Sequence, residues 1–419
     1  MEKTKKQLVP KLRFKEFDST WEKKKVADVS VFFDGRRKPI KSEDRAKMKG
    51  VYPYYGASGI IDYVNEYIFD EDIILLGEDG ENIISRNLPL AFRVSGKCWI
   101  NNHAHVIRNN KGTDIDFLTL VLELTNYVIY NTGTAQPKLN QEVCKNIPLT
   151  FPTLSEQQKI ASFLSSVDEK IQQLTRKKEM LEQYKKGVMQ QLFKPSELGL
   201  EGLEDNRMAD AKNPKIRSSY KSQFRQLRFR DENGKEYPKW ETKKLEDICS
   251  FYSGGTPEST NRKFYSGTIP FIGSGNIYDS EVFSFISEDA LNSSSAKLVE
   301  EGDLLFALYG ANSGEVAISK INGAINQAVL CIRTNENTKY LFYILFLNQG
   351  RIVSKYLQGG QGNLSGNIVK KLKYKLPSLD EQQKIAAYLS VIDTKIENVS
   401  NQITQTQTFK KGLLQQMFV

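Results

Sequence analysis

Residues 152–171 read Pro-Thr-Leu-Ser-Glu-Gln-Gln-Lys-Ile-Ala-Ser-Phe-Leu-Ser-Ser-Val-Asp-Glu-Lys-Ile, and residues 377–396 read Pro-Ser-Leu-Asp-Glu-Gln-Gln-Lys-Ile-Ala-Ala-Tyr-Leu-Ser-Val-Ile-Asp-Thr-Lys-Ile. The two stretches are identical at 13 of 20 positions, at a constant offset of 225. The match runs on for 42 residues, to Phe193 and Phe418, without an insertion or deletion. Long packed helices keep their length in this way, because one inserted residue rotates every later side chain by about 100°. The repeat therefore predicts two equivalent rigid helices.

The duplication also covers the segments that precede these helices. Leu12-Arg13-Phe14 and Trp21 return as Leu227-Arg228-Phe229 and Trp240. Each half thus consists of a leading segment, a globular domain and a long helix. The period is far above the roughly 20 to 50 residues of solenoid repeats, which indicates duplication of a whole domain. We expect two halves related by a pseudo-twofold axis.

Both helices carry apolar residues in steps of four and three, as in a heptad seam. The predicted helix-pairing residues are Ile160, Leu164, Val167, Ile171, Leu174, Leu181, Val188, Ile385, Leu389, Ile392, Ile396, Val399, Ile403 and Leu413. Polar residues interrupt the same seam at Lys178, Lys185, Thr406 and Lys410. About 40 helical residues make a rod of roughly 60 Å, too long to bury its seam against its own domain.

Two pairings of the seams are open: a coiled coil between two molecules, or pairing of the two helices within one chain. The second is favoured, because the seams have the same length and occur once per half. The seam does not fix the relative direction, but a twofold relation would make the pair antiparallel. Ser155 and Asp380 are the predicted N-caps. Residues 194–221, polar and rich in Gly, Pro and Asn, suit a linker.

The globular domains contain short apolar or aromatic runs bounded by Gly, Asn and Asp, which predict β-strands. Helices are expected over residues 117–130 and 338–356. Residues 99–108 and 324–333 match at offset 225, and Asn101 and Asn326 are among the few polar residues that they share. The fold class is therefore α+β, with two β-rich domains and two long paired helices.

Composition is consistent with a globular protein that has a polyanionic partner. The chain has 419 residues, a net charge of +9, and no apolar run near the roughly 20 residues that span a bilayer. The four cysteines are far apart and form no Cys-x-x-Cys, which favours a reducing, cytoplasmic setting.

The doubled Pro-x-Leu-x-Glu-Gln-Gln-Lys-Ile-Ala motif, placed after two variable domains, resembles the specificity subunit of type I restriction-modification enzymes. Ser253-Gly-Gly-Thr-Pro257, Gly273-Ser-Gly-Asn-Ile277 and Tyr54-Tyr-Gly-Ala-Ser-Gly-Ile-Ile-Asp62 are similar to segments of that family's target recognition domains. The first domain departs from the Gly-Thr-Pro pattern and has Asp34-Gly-Arg-Arg-Lys-Pro39 instead.

The resemblance implies that each variable domain reads one half of a split double-stranded DNA site, while the helices set the spacing and dock two methyltransferase subunits. Restriction and translocase subunits would join them. It also implies no cofactor in this chain, with S-adenosylmethionine, ATP and Mg expected in the partner subunits, and no membrane partner. The corresponding division is target recognition domains over 1–151 and 222–376, spacer helices over 152–193 and 377–419, and the linker over 194–221.

Lys and Arg side chains would contact phosphates, while Asn, Gln, Arg, Ser, Thr and Tyr reach base edges. The candidate DNA-binding residues of the first domain are Arg36, Arg37, Lys38, Tyr54, Tyr55, Ser58, Asn101, Asn102, His103, His105 and Lys138. Those of the second domain are Thr256, Asn261, Arg262, Lys263, Ser274, Asn276, Tyr309, Asn312, Asn326, Gln327 and Asn363. Half-sites are expected about one helical turn, or roughly 10 bp, apart.

Two other classes of function compete with this interpretation. Phe271-Ile-Gly-Ser-Gly275 resembles a methyltransferase glycine motif, but the chain has no Asn-Pro-Pro-Tyr or Asp-Pro-Pro-Tyr and no phosphate-binding loop. His103 and His105 could share one strand face as metal ligands, but no third ligand is evident, so no metal site and no catalytic residue are predicted. The remaining alternative is a scaffold that binds proteins or RNA.

Overall fold

The computed structural model describes residues 8–193, 227–356 and 363–419, so the predicted linker 194–221 lies outside the described residues. The chain divides into two compact units, a first unit of Met1–Arg176 with Ser400–Val419 and a second unit of Lys177–Val399. Each unit combines strands with helices, which confirms the α+β prediction. Among the described residues, every helix is too short or too polar to cross a bilayer.

The first unit begins with a short strand and ends its globular part with another. Its strands are β1 Glu22–Lys25, β2 Ser30–Phe32, β3 Lys49–Gly56, β4 Gly59–Val64, β5 Phe69–Asp70, β6 Ile73–Gly77, β7 Ala91–Val94, β8 Lys97–Ile100, β9 Ala104–Asn109 and β10 Pro148–Phe151. Its helices are α1 Val26–Val29, α2 Ser42–Lys47, α3 Asn82–Ser85, α4 Ile115–Leu124, α5 Gln141–Lys145 and the long α6 Leu154–Leu192, whose last residues belong to the second unit.

The second unit repeats the order of the strands, although some of its short helices lie at other places. Its strands are β11 Glu241–Lys244, β12 Cys249–Ser253, β13 Ile269–Ile272, β14 Phe285–Ile286, β15 Lys297–Val299, β16 Leu304–Ala307, β17 Val316–Ile318, β18 Gly323–Ile325, β19 Val329–Thr334 and β20 Lys373–Leu376. Its helices are α7 Leu245–Ile248, α8 Glu288–Ser293, α9 Thr338–Tyr356, α10 Gly366–Lys370 and the long α11 Leu379–Met417, whose last residues belong to the first unit.

The sheets of the two units have the same strand order. The first unit has β2-β9-β6-β7, β4-β3-β8-β5 and the ribbon β1-β10, and the second has β12-β19-β16-β17, β14-β13-β18-β15 and the ribbon β11-β20. Tyr54 pairs with Trp99 in parallel in the first unit, as Phe271 pairs with Ala324 in the second. The segments that match in sequence therefore occupy the same places in the two folds.

The central strand of each unit contributes to two cores. All five residues of β6 are buried. Ile74 and Leu76 pack in the core that also holds α4 and the long helix, while Ile73 and Leu75 pack between the two sheets. Successive side chains of a strand point to opposite faces, so a strand covered on both sides is continuously apolar. Each such side chain contributes about 1.5 to 3 kcal/mol by burial.

The long helices pair within the chain in an antiparallel arrangement, as predicted. In the first unit, Lys410 contacts Asp168 at 2.6 Å, and further along the chain the Val419 carbonyl lies 3.5 Å from Thr150 Oγ1, before α6 begins. In the second unit, Lys185 contacts Asp393 at 2.5 Å. Leu192, further along α6, shares a core with Ile385, which is earlier in α11.

The predicted pairing residues lie along this seam. Ile160, Leu164, Val167, Leu174, Val188, Ile385, Leu389, Ile392, Val399 and Leu413 are buried, and Ile171, Leu181, Ile396 and Ile403 are half-buried. The predicted N-caps are wrong by two residues. The helices begin at Leu154 and Leu379, so Thr153 and Ser378 precede the first turn, and the carbonyl of Thr153 accepts from the Gln157 amide.

The Glu-Gln-Gln-Lys-Ile motif fastens each leading segment to the start of its helix. Arg13 donates two hydrogen bonds of 2.7 Å to the buried Glu156 carboxylate, which also accepts from the Trp21 indole at 3.3 Å. In the second unit Glu381 accepts from Arg228 at 2.7 and 2.8 Å and from Trp240 at 3.0 Å. A buried carboxylate is stable only with such a full set of donors. We call each of these groups an Arg-Glu-Trp latch.

Candidate nucleic-acid interface

In the second unit, loops from four parts of the chain bring predicted DNA-binding residues together. Thr256, after β12, donates to Gln327 Oε1 at 2.5 Å. Asn312, after β16, donates to the Ser274 carbonyl at 3.3 Å. The amide of Asn326 donates to the carbonyl of Ile272, at the end of β13. These polar side chains line one rim of the sheets, at loops that the buried strands hold in place.

Glycine permits the close loop packing at this rim. A Cβ on Gly254 would lie 1.7 Å from the Ile325 carbonyl oxygen, so no larger residue fits this position of the motif Ser253-Gly-Gly-Thr-Pro257. A Cβ on Gly35, which follows β2 in the first unit, would meet no described atom within 4 Å. At Gly35, therefore, the first unit lacks the close backbone contact that requires glycine at Gly254 in the second unit.

The corresponding rim of the first unit is built around acidic residues. Arg37 contacts Glu78 at 2.6 Å and the carbonyl of Asn102 at 3.4 Å. His103 Nδ1 lies 2.8 Å from Asp79, and Lys138 Nζ lies 3.5 Å from Glu78. Four predicted residues, Arg37, Asn102, His103 and Lys138, thus meet around two carboxylates that were not predicted as site residues.

Burial separates the remaining predictions into two groups. Tyr54, Asn101 and His105 have exposures of 2%, 4% and 0%, so their side chains cannot reach DNA in this structure, and their assignment as DNA contacts is corrected. Tyr54 Oη accepts from the Ile40 amide, and Asn101 Oδ1 accepts from the His103 amide. Both side chains hold the backbone of the loops from within.

Several predicted residues are accessible, and others are held by local contacts. Exposed side chains belong to Arg36, Lys38, Ser58, Asn102, His103, Lys138, Thr256, Arg262, Lys263, Asn276, Gln327 and Asn363. Half-buried ones belong to Arg37, Tyr55, Asn261, Ser274, Tyr309, Asn312 and Asn326. Asn261 caps the short helical turn that carries Arg262 and Lys263, and Tyr55 packs against the inter-sheet core.

His105 lies in a buried ionic network that positions the rim of the first unit. Its Nδ1 lies 2.6 Å from Asp34 and its Nε2 lies 2.9 Å from the Leu139 carbonyl. Both ring nitrogens thus face acceptors, which requires both to be protonated and the ring to be charged. Asp34 also accepts from the amide of Val106 at 2.9 Å and from Gln141 at 2.7 Å.

The pKa values of this pair follow from the same contacts. Burial, the largest single influence, favours neutral imidazole, but the hydrogen bonds and charges of Asp34 and Cys144 together outweigh it and raise the pKa of His105 to about 10. Burial likewise opposes ionisation of Asp34, and the bonds from His105 and Val106 nevertheless lower the pKa of that carboxyl. The two charges therefore stabilise each other inside the domain.

Asp34, Glu78 and His105 bring three potential metal-ligand atoms within 4.8 Å of one another. The sequence indicated no third ligand for the histidines, because Asp34 and Glu78 are remote in the chain. Arg37 lies 2.6 Å from Glu78 and 3.5 Å from Asp34 and already supplies positive charge to both carboxylates. A bound cation would have to displace this guanidinium, so the cluster fits a structural ion-pair network better than a metal site.

Lys145 and Lys370 were not among the predicted DNA-binding residues, although the sequence sets them apart by their identity in the two halves. Both end the five-residue helix that follows the rim, and they are identical at the repeat offset of 225. Most predicted contacts are polar residues that differ between the halves, whereas these shared lysines resemble ordinary cations at a helix end. Glu78 and Asp34 gave no such signal, since neither has an acidic counterpart in the second half.

Comparison with known proteins gives the same result for both halves of the chain. The family described as "Type I restriction modification DNA specificity domain" matches residues 18–183 and 237–406. The MjaVIII type I restriction enzyme specificity subunit of Methanocaldococcus jannaschii is 26% identical over 94% of this chain and 91% of its own length. The MjaIX specificity subunit of the same organism is 31% identical, over 42% of this chain and 43% of that protein.

The fold has a solved counterpart. The crystal structure of a type I restriction-modification system S subunit from M. genitalium aligns with a TM-score of 0.63 at 15% identity, over 98% of this chain and 99% of that one. Two matched segments in one chain, each ending in a long helix, agree with the duplication seen in sequence and structure. The protein belongs to the family of type I restriction-modification specificity subunits.

Proposed function

We propose that this chain binds double-stranded DNA at a split site, with each unit reading one half-site, and that it performs no chemistry of its own. The observation that carries the proposal is the pair of matched specificity domains, which share one fold and differ at the rim. Two domains with the same backbone and different polar side chains are suited to reading two different short sequences. A net charge of +9 adds attraction to the phosphate backbone.

The exposed rim residues are the proposed base and phosphate contacts. In the second unit Gln327 and Thr256 form a hydrogen-bonded pair, and Asn276 is exposed in the loop after β13. Gln and Asn side chains can make paired hydrogen bonds to adenine in the major groove. In the first unit His103 and Lys138 are the exposed groups of the acidic cluster, and Lys138 suits a phosphate.

The long helices are the proposed docking surface for two methyltransferase subunits, which restriction subunits would join for cleavage. The seam occupies one face of each helix. The outward faces of α6 and α11 are exposed and mostly polar, and they also expose the apolar or aromatic side chains of Met180, Tyr184, Val391 and Phe409. S-adenosylmethionine, ATP and Mg would then belong to the partner subunits, and the complex would work in the cytoplasm.

A mapping of methylated sites tests the division of labour. The chain is expressed with its methyltransferase subunits, and methylated positions are mapped for the wild type and for Gln327→Ala. We expect the wild type to mark one split sequence, and the variant to relax one position in one half only. The loss of a paired base contact costs about 1 to 3 kcal/mol of discrimination.

The matched control is Asn233→Ala, which truncates an exposed asparagine in the turn between Arg228 and Trp240, outside the rim loops and the long helices. It should leave both half-sites unchanged. A change in both halves with Gln327→Ala, or a wild type that binds random duplex or RNA as well as any split duplex, would overturn the proposal.

A further inference from the structure

One pair of lysines is the same in the two units, where the proposed reading residues differ. Lys145 ends α5 and Lys370 ends α10. The ammonium of Lys145 lies 5.8 Å from the ring centre of Phe32, and that of Lys370 lies 5.9 Å from the ring centre of Phe251. Each lysine is half-buried beside its aromatic ring, which fixes where the charge is held.

A second lysine lies beside each of these. Lys25 and Lys244 occupy the same position before α1 and α7. Lys25 Nζ donates to Asn146, next to Lys145, at 2.9 Å. α1 contacts α5 and α7 contacts α10, so the two lysines of each unit lie on neighbouring turns. We call Lys25 with Lys145, and Lys244 with Lys370, the lysine pairs.

The second lysine pair lies in an excess of positive charge, whereas in the first unit Asp28 and Glu142 lie beside Lys25 and Lys145 and balance their charge. Glu246 is the acid beside the second pair, and its pKa is lowered by its hydrogen bond from Lys244 and by the nearby charges of Lys371 and Lys370. Three lysines thus surround one exposed carboxylate. In the first unit Ala27 stands where Glu246 stands in the second, and Asp28 accepts from the amide of Lys25. Within the described chain, neither Lys145 nor Lys370 has an ion-pair partner.

Local structure alone does not require lysine at these places. A cation at the end of a helix interacts with its dipole by about 0.3 to 1 kcal/mol, and an exposed cation–π contact contributes a similar amount. Many basic or polar residues would serve equally well. A task common to both units is a better reason for identity, because the sugar-phosphate backbone is chemically the same at every sequence whereas the bases are not.

The position relative to the rim is consistent with such a task. α5 begins three residues after Lys138, and α10 begins three residues after Asn363. A helix of five residues spans about 7.5 Å at 1.5 Å per residue. That length corresponds to about two nucleotides at 3.4 Å each along one strand.

We propose that the lysine pairs hold DNA phosphates about two or three nucleotides outside the bases that each unit reads. This rests on the proposed function, and it assigns to the lysine pairs a contact that is independent of sequence. The rim selects the bases, and the lysine pairs contribute affinity and register for any duplex. Lys371 and Lys373 extend the basic surface of the second unit, where the first unit has Asn146 and Pro148. The second unit should therefore contribute more of the affinity for phosphates.

The test measures duplex affinity as a function of salt, using the full chain with its methyltransferase subunits. Lys145→Gln, Lys370→Gln and the double variant are compared on the cognate split duplex and on a random duplex. Each lost phosphate contact should reduce the slope of log K against log salt by about 0.9, so the double variant should lose about 1.8. At about 0.1 M salt, affinity should fall up to about eightfold per lysine for both duplexes alike.

Two controls separate charge from folding and from surface lysines in general. Lys145→Arg with Lys370→Arg keeps the charge and should keep the wild-type slope. Lys320→Gln removes an exposed lysine from the turn between β17 and β18, at the opposite end of the strands from the rim loops, and should also leave the slope unchanged.

An unchanged slope in the double Gln variant would overturn the proposal, and so would a loss confined to the cognate duplex, which would indicate base contacts. Loss of the methyltransferase subunits with an unchanged slope would indicate a protein contact instead. These outcomes leave the proposed function standing. That function fails separately, if the wild type shows no preference for a split duplex.

Discussion

The interior beneath the rim is ionic in the first unit and apolar in the second. Glu78 and His105 of the first unit correspond to Leu308 and Leu330 of the second. The correspondence follows from the backbone, because the amide of Glu78 donates to the His103 carbonyl as that of Leu308 donates to the Ala328 carbonyl, both at 2.8 Å. The same backbone hydrogen bonds thus support charged side chains in the first unit and leucines in the second.

The difference shows which features the fold needs and which it tolerates. Both units keep the strand order, the ribbon and the Arg-Glu-Trp latch. The side chains beneath the rim can differ between the units, provided that each buried charge has its hydrogen-bond partners and each apolar side chain fills its space. A buried charge needs every partner, as Asp34 has in His105, Gln141 and the Val106 amide, whereas leucine needs only volume.

The largest expected effect tests the Arg-Glu-Trp latch, which the two units share. Glu156→Ala and Glu381→Ala each remove the buried carboxylate that accepts from an arginine and from an indole N–H, although the arginine keeps its backbone-carbonyl acceptors. Each change should cost about 3 to 5 kcal/mol in the unit concerned, because it breaks a buried ion pair. Arg228 is more exposed than Arg13, at 30% against 11%, so the second unit should lie at the lower end. Urea unfolding with hydrogen exchange resolved by unit measures both.

Glu169→Ala, which removes an exposed carboxylate from α6, is the control for this pair and should change stability little. A loss near 4 kcal/mol in one unit, the size expected when a buried ion pair is broken, with none in the other would show that the latch is not an equivalent feature of the two halves.

A smaller effect tests the buried ionic network around His105, in which the first unit differs from the second. The pKa of His105 is about 10 in the folded chain, above the roughly 6.5 of an unfolded histidine. Its contribution to stability is therefore complete below about pH 6.5 and is lost as the pH rises through about 10. The slope is at most about 1.4 kcal/mol per pH unit. Hydrogen exchange between about pH 7 and 9, inside that window, should show this loss in the first unit only.

The replacement of Asp34, Glu78 and His105 together by Ser, Leu and Leu, the residues at these places in the second unit, should remove that pH dependence without leaving Asp34 unpaired. If the first unit kept the same slope without His105, the ionic network would not be its source. Equal slopes in the two wild-type units would count against the contrast itself.

The smallest effect concerns the polar positions of the helix seam. Asp168→Ala and Asp393→Ala each remove one ion pair across the helices, with Lys410 and Lys185 respectively. The pairs are partly exposed, so each should contribute no more than about 1 kcal/mol. Asp393→Ala should cost more than Asp168→Ala, because it also removes the acceptor of the Tyr343 hydroxyl at 2.6 Å. Thermal unfolding at low and high salt would show the loss shrink as salt rises, and a salt-independent loss would point to packing instead.

The long helices and their pairing could be predicted from sequence alone, because a seam repeated at a fixed offset depends on local geometry. The shared strand arrangement could be predicted as well, since the matched runs 99–108 and 324–333 contain most of β9 and β19, and these strands pair in the same register. The N-caps were misplaced because Ser155 and Asp380 are good caps, whereas Thr153 and Ser378 begin the turn.

The rim was harder to predict, because the partners of its charged residues are distant in the chain. Arg37 meets Glu78 across 41 residues, and Arg13 meets Glu156 across 143. Alternation along β9 places His105 on one face, but it does not tell whether that face is outward or buried. His105 and Tyr54 therefore looked like readers of DNA, and only the packed structure shows that they support the loops from within.

The ribbon of each unit has a consequence for how new specificities arise. Glu22 pairs with Phe151 in the first unit, and Glu241 pairs with Leu376 in the second, so the chain goes into and comes out of each domain at adjoining points. The residues between the two strands of the ribbon could be exchanged as one block, and the residue at which the long helix begins would stay the same. A chain with one exchanged block would therefore differ in one of its two matched specificity domains and would keep both long helices unchanged.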